Sequence, residues 1–105
     1  DMANWQVKID FSQDKKDYRD GKISLQTLAC SAASACSRQL ATVRIIDDDM
    51  AQQLEYEIIP MFEEIADYEK STVDDFDLAL EQLYDWADTP LDNEWNGKKM
   101  AWIQP

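Results

Sequence analysis

Trp5, Val7, Ile9 and Phe11 alternate with Gln6, Lys8 and Asp10, a period of two that predicts a strand at the start of the chain. The period then lengthens. Ser12 can cap a short helix over residues 13–20, stopped by Gly21. Ser24 predicts the cap of a second helix, from residue 25 to about 41, with Leu25, Leu28, Ala29, Ala32, Cys36 and Leu40 facing inward. Its other positions are mostly Ser and Ala, small enough to let another helix come close. Residues 42–46 are β-branched apart from Arg44, and read as a short strand or as the end of this helix.

Asp47, Asp48 and Asp49 precede a third helix, from residue 50 to about 69, where they suit its N-terminal dipole. Its apolar stripe is Met50, Leu54, Ile58, Met61, Ile65 and Tyr68, and Pro60 is expected to kink or split it. Ser71 or Thr72 caps a fourth helix to about residue 88, with Asp74 or Asp75 completing a capping box. Its predicted core face is Val73, Phe76, Leu80, Leu83, Tyr84 and Ala87, and Thr89-Pro90 ends it. After a turn at Asn96-Gly97, residues 100–103 form a second candidate strand, able to pair with the first. The pattern predicts one α+β domain over residues 1–105, predominantly helical: about four helices with a small β-ribbon from the N- and C-terminal segments.

Composition supports a folded chain. The formal charge is −12 over 105 residues, but 45% of the residues are hydrophobic and there are four Trp, four Tyr and three Phe. Disordered acidic chains lack such aromatics. The charge is unevenly placed. Residues 1–46 carry 7 Lys/Arg against 5 Asp/Glu, a net of +2, and residues 47–105 carry 3 Lys against 17 Asp/Glu, a net of −14. Between Asp47 and Trp95 the only cation is Lys70. Direct binding to nucleic acid or to an anionic membrane is not expected, since both need Lys and Arg. No long apolar run predicts a membrane span, and no leader pattern is visible. Met2 is expected to open the natural chain, with Asp1 an added residue. Cys30 and Cys36 lie about 9 Å apart along a helix and on different faces, so they are not expected to pair, which suits a reducing cytoplasm.

On a wheel of about 100° per residue, Asp74, Asp77, Glu81, Asp85 and Asp88 fall within about 80° of one another, beside the apolar face of the fourth helix. They form a row about 21 Å long, one carboxylate per ~5 Å. One strand of duplex DNA presents a phosphate every ~3.4 Å. The like-charge pairs in that row should cost about 0.2–0.5 kcal/mol each, roughly 1–2 kcal/mol together. Glu57, Glu63, Glu64 and Asp67 add a second outward group on the third helix. A charge run is often no more than a solvated face, but here the cations that usually interleave it are missing. Trp86 lies off the predicted apolar face among acids, and Trp95 sits in a polar turn, so both are candidate interface anchors. Alternatively, both cover the core edge where the tail folds back.

Enzyme chemistry finds little to use, and no catalytic, metal or cofactor site is expected. There is no His, the commonest general base and zinc ligand, and two Gly cannot build a phosphate loop. Ser31, Ser34 and Ser37 have no base nearby in sequence. The acids around Asp74-Asp75-Phe76-Asp77 are explained by helix capping. Residues 92–97 echo the start of a calcium loop, but Ile103 stands where its bidentate Glu is needed.

Three segments, Asn4-Trp5-Gln6-Val7-Lys8-Ile9-Asp10, Leu83-Tyr84-Asp85-Trp86-Ala87-Asp88 and Lys99-Met100-Ala101-Trp102-Ile103, resemble small acidic accessory proteins of tailed bacteriophages. That pattern usually has Gly at the position of Ala87 and Cys at that of Ala101. The resemblance covers a small part of the chain and supplies no catalytic residues. It implies a phage origin, a bacterial host cytoplasm, and by analogy a host-defence inhibitor of the nucleic-acid-mimic or anti-CRISPR kind. The expected function is non-enzymatic: the acidic helix face would meet a basic nucleic-acid-binding groove, as in a CRISPR effector, a restriction enzyme or a nuclease. The alternative is an interaction adaptor that binds through an apolar or aromatic patch around Trp86, Trp95 and Trp102, its acidity serving solubility.

Overall fold

The structure, a computed structural model, describes Ile9 and residues 11–87. Those residues are predominantly helical, in four rods as the periodicity predicts, and no strand occurs among them. The expected β-ribbon falls on the terminal segments; apart from Ile9 and Phe11, which are not in a strand, its residues lie outside the described ones.

Helix α1 is Ser12–Arg19. Phe11, not Ser12, occupies the N-cap position, and its carbonyl accepts from the Lys15 N–H at 3.0 Å. The helix stops as expected. The Lys22 N–H reaches the Asp17 carbonyl at 2.8 Å and the Gly21 N–H reaches that of Tyr18 at 3.0 Å, with Gly21 at φ +78°. This paired closure requires a left-handed residue, which Gly adopts without penalty.

Helix α2, Leu25–Ile46, begins at Ser24, whose hydroxyl accepts from the Thr27 N–H at 3.1 Å. It runs five residues beyond the predicted end, so residues 42–46 are helix and not strand. Val43, fully buried, falls on the same face as Leu25, Leu28 and Ala32, and packing there overrides the β preference of the branched residues. Asp47 alone links α2 to the next rod. Its N–H closes α2 on the Val43 carbonyl at 2.7 Å, and its carboxylate accepts from Asp49 and Met50 N–H groups at 3.1 and 3.2 Å.

The third rod is continuous but changes winding: α3 is Asp48–Gln53, a π-helical segment spans Leu54–Ile58, and α4 is Ile59–Asp67. Pro60 explains the change. It has no N–H to offer the Tyr56 carbonyl, and its ring would crowd that oxygen in a regular α-turn. The chain widens instead, and the Ile59 N–H bonds to the Leu54 carbonyl, five residues back.

The third rod returns along α2, and α4 packs on α2 more extensively than any other pair of elements. The small inner residues of α2 (Ala29, Ala32, Ala33, Ala35, Cys36) are all buried and permit that approach. Gln26 at the start of α2 donates to the Tyr68 carbonyl at the end of α4 at 3.0 Å, which fixes the antiparallel register.

Helix α5, Val73–Ala87, starts from a reciprocal cap. The Asp75 N–H donates to the Thr72 hydroxyl at 3.3 Å, and the Thr72 N–H donates to the Asp75 carboxylate at 2.8 Å. Of the residues considered for this role, Thr72 and Asp75 fill it. The helix lies against α4 and the π-helical segment. Phe76 is the centre of the core there: its ring meets Phe62 edge-on at 5.5 Å and Phe11 at 6.4 Å. Lys15, only 1% exposed, lays its ammonium 5.1 Å from the Phe11 ring centre.

The buried face of α5 is wider than predicted. Besides Phe76, Leu80 and Leu83 it includes Ala79, Asp77 and Trp86, an arc of about 180°. Residues far away in sequence pack around this helix. Ile9 and Phe11 from the N-terminal segment join the core, and Phe11 covers α5 beside Phe76.

Candidate acidic binding face

The sequence-predicted row on α5 does not form. Asp77, its second member, is 9% exposed and counts with the core. It stands at one edge of the buried arc of α5, wider than the wheel revealed. Glu81, one turn on, is half-buried and engaged within the protein. Asp74 and Asp85 are exposed, and Asp88 lies outside the described residues. A ladder of five solvent-facing carboxylates is thus reduced, among the described residues, to its two flanking members.

Trp86 also needs correction. It is 5% exposed, and its indole Nε1–H donates to the Met50 carbonyl at 2.9 Å. Buried Trp side chains of this kind find a partner for their one donor, and here the partner ties the end of α5 to the start of α3. Trp86 is a core residue, closer to the alternative role of covering the core edge than to a surface anchor. Trp95 lies outside the described residues.

The second acidic group fares differently. Glu57 on the π-helical segment and Glu63, Glu64 and Asp67 on α4 are all exposed. None of these four makes an ion pair, and neither do Asp74 and Asp85, among the described residues. One cation of the basic part that engages the acidic part is Arg44. It pairs with Glu55, and its Nε lies 3.8 Å from the Asp48 carboxylate. Arg44 and Asp48 flank the turn between α2 and α3, and Glu55 reaches them from the π-helical segment. Surface pairs of this type contribute about 0–1 kcal/mol and orient the turn more than they stabilise it.

What the sequence did not disclose is that α4 and α5 enclose a groove of about 730 Å³. Glu63, Glu64 and Asp67 from α4 and Asp75 from α5 line it, together with Pro60, Met61, Tyr68 and Leu78. Tyr68 is 56% and Leu78 52% exposed. The sequence carried one signal for this: Leu78 is an apolar residue on the polar side of its helix, between Asp74 and Asp85. A second groove, about 630 Å³, runs between α2 and α4 and is lined by Cys30, Ser34, Arg38, Glu63 and Asp67 among others. Glu63 and Asp67 thus stand on the crest between two depressions.

Cys30 and Cys36 are both free. Burial among apolar side chains pushes the Cys36 thiol up to about 12, which keeps it neutral and inert. Among the described residues no group of three or more His, Cys, Asp or Glu gathers as a metal ion would require. On α1, Lys16 donates a hydrogen bond to the Asp20 carboxylate at 3.1 Å, and that bond and its charge hold the Asp20 carboxyl below its ordinary value.

No family model matches the chain, and no curated protein or solved structure matches it either.

Proposed function

We propose that this protein is a non-enzymatic inhibitor that binds a basic, nucleic-acid-binding surface of another protein through the carboxylates of α4 and α5. The observation that carries the reading is the cluster Glu63, Glu64 and Asp67. These residues are exposed, in no ion pair among the described residues, and placed with Asp75 around a groove shared by two helices. Like charges held this close oppose folding slightly, and a cationic partner removes that opposition. The working part of the acidic surface is therefore α4 and its junction with α5, with Glu57, Asp74 and Asp85 as outlying charges.

A bacterial host cytoplasm and a phage origin belong to this proposal through the resemblance of the terminal segments. A defence nuclease, a restriction enzyme or a CRISPR effector is the class of partner with the required basic groove. The adaptor reading loses one of its anchors with the burial of Trp86.

The test is a pull-down from bacterial lysate with the native chain and with a quadruple variant, Glu64→Lys, Asp67→Lys, Asp74→Lys and Asp85→Lys, at low salt and at roughly 1 M, where the Debye length is about 3 Å. The captured protein should be lost at high salt and with the variant, and should fail to bind DNA or RNA while the native chain is bound. Capture that survives both changes would falsify the proposal.

A further inference from the structure

We infer that the groove between α4 and α5 is the docking site for an amphipathic basic helix of the partner protein, with apolar side chains of that helix on Met61, Tyr68 and Leu78 and its Lys or Arg flanks on Glu64, Asp67 and Asp75. The inference rests on the function proposed above and specifies what the acidic surface receives.

The groove is amphipathic in cross-section. Its floor carries Pro60, Met61 and Ile65, and its sides carry the half-exposed Tyr68 and Leu78. Its rim carries carboxylates from both helices, with no Lys or Arg among the lining residues. A purely electrostatic mimic has no use for an apolar floor, and a purely apolar site has no use for a rim of one sign. A ligand with an apolar ridge flanked by cations matches both.

A helix is the form that fits. Strand addition needs a free sheet edge, and none occurs among the described residues. A polyproline ligand needs an aromatic-lined groove, and this one has Tyr68 as its aromatic. From Pro60 to Asp67 the groove follows α4 for about 10 Å, or two turns, enough for anchors at i, i+4 and i+7 of an incoming helix. A phosphate backbone is refused by the rim. A second copy of the chain offers no such helix among the described residues: α1 directs Lys16 and Arg19 outward, but its Tyr18 packs on the core.

The probe is a synthetic peptide of about 18 residues, five helical turns, with Leu on one stripe and Lys elsewhere, compared with a scrambled peptide of the same composition. Binding is read by fluorescence anisotropy at physiological ionic strength, and the site by amide shift changes in the labelled protein. The patterned peptide should bind at least about tenfold tighter than the scrambled one and should shift residues 60–68 and 75–78. Leu78→Gln keeps a good helix former at a half-exposed position and should remove about five- to tenfold of that affinity, with Tyr68→Ser as the independent second variant. Equal affinity for the two peptides, no effect of either variant, or shifts elsewhere would overturn the groove. The salt-sensitive capture described above would still stand, so the two failures are separable. Self-association that either variant abolishes would place a second copy in the groove and would also overturn the inference.

Discussion

Trp86 gives the sharpest test of the corrected surface, because the core and interface roles predict opposite results for one substitution. Trp86→Phe keeps an aromatic ring but removes the Nε1–H that donates to the Met50 carbonyl at 2.9 Å. A hydrogen bond of this type contributes about 0.5–1.5 kcal/mol net. The lost five-membered ring also leaves a void. At about 24 cal/mol per Å³, a residual cavity of roughly 40 Å³ costs about 1 kcal/mol. The sum is about 2 kcal/mol, a large fraction of the roughly 5–15 kcal/mol available to a domain of this size. Urea unfolding followed by far-UV circular dichroism should show a lower midpoint with an unchanged slope, and the melting temperature should fall by roughly 8–16 °C. Partner binding, measured well below the transition, should be unchanged. A variant within about 0.5 kcal/mol of the native stability that has lost its partner would show Trp86 to be a surface anchor and would refute the packing argument.

Two further outcomes follow from the same placement. Asp77→Lys puts a cation in a site that is 9% exposed, and should destabilise by about 3 kcal/mol or more, whereas Asp74→Lys on the exposed side should stay within about 1 kcal/mol of native in the same urea experiment; equal effects would contradict the assignment of the two faces. Cys36, raised to about 12 by burial, favours the protonated state in the fold, so the unfolded chain releases this proton first, from about pH 9 upward. Its contribution is complete below pH 9 and should shrink by up to roughly 4 kcal/mol by pH 12, read as a narrowing gap between the native chain and Cys36→Ala; a constant gap would mean the thiol is not desolvated.

The parts of this fold that could be read from sequence are those that local chemistry decides. Ser24 caps α2, Thr72 and Asp75 cap α5, and Gly21 ends α1, because each acts on backbone groups within a few residues. The four rods follow for the same reason, since their stripes repeat at helical spacing. Three features depend on tertiary contacts that settle what the sequence left open or did not show. Residues 42–46 continue α2 because Val43 finds a buried place on its inner face, a tertiary reward that propensity cannot register. Pro60 is accommodated by a π-helical segment and not by a break, which depends on the rod being held along its length by α2. The inward arc of α5 is met by distant partners, Phe11 against Phe76 and the Met50 carbonyl against Trp86, which no periodicity within α5 could disclose.

That last displacement changes the physical basis of the proposed activity. A straight ladder of carboxylates along one helix would imitate the regular phosphate spacing of a nucleic acid strand. With Asp77 buried and Glu81 engaged within the protein, that regularity is gone. The exposed acids are instead gathered from two helices, and the packing of α4 against α5 sets the spacing between Asp67 and Asp75. Recognition then depends on a tertiary arrangement and not on one element. Carboxylates around an apolar floor reward a partner that brings both burial and charge, since charge chiefly speeds encounter while apolar contact slows release. Salt should therefore act mainly on the association rate, and Leu78→Gln mainly on dissociation. A surface that worked only as a phosphate mimic would show no such division.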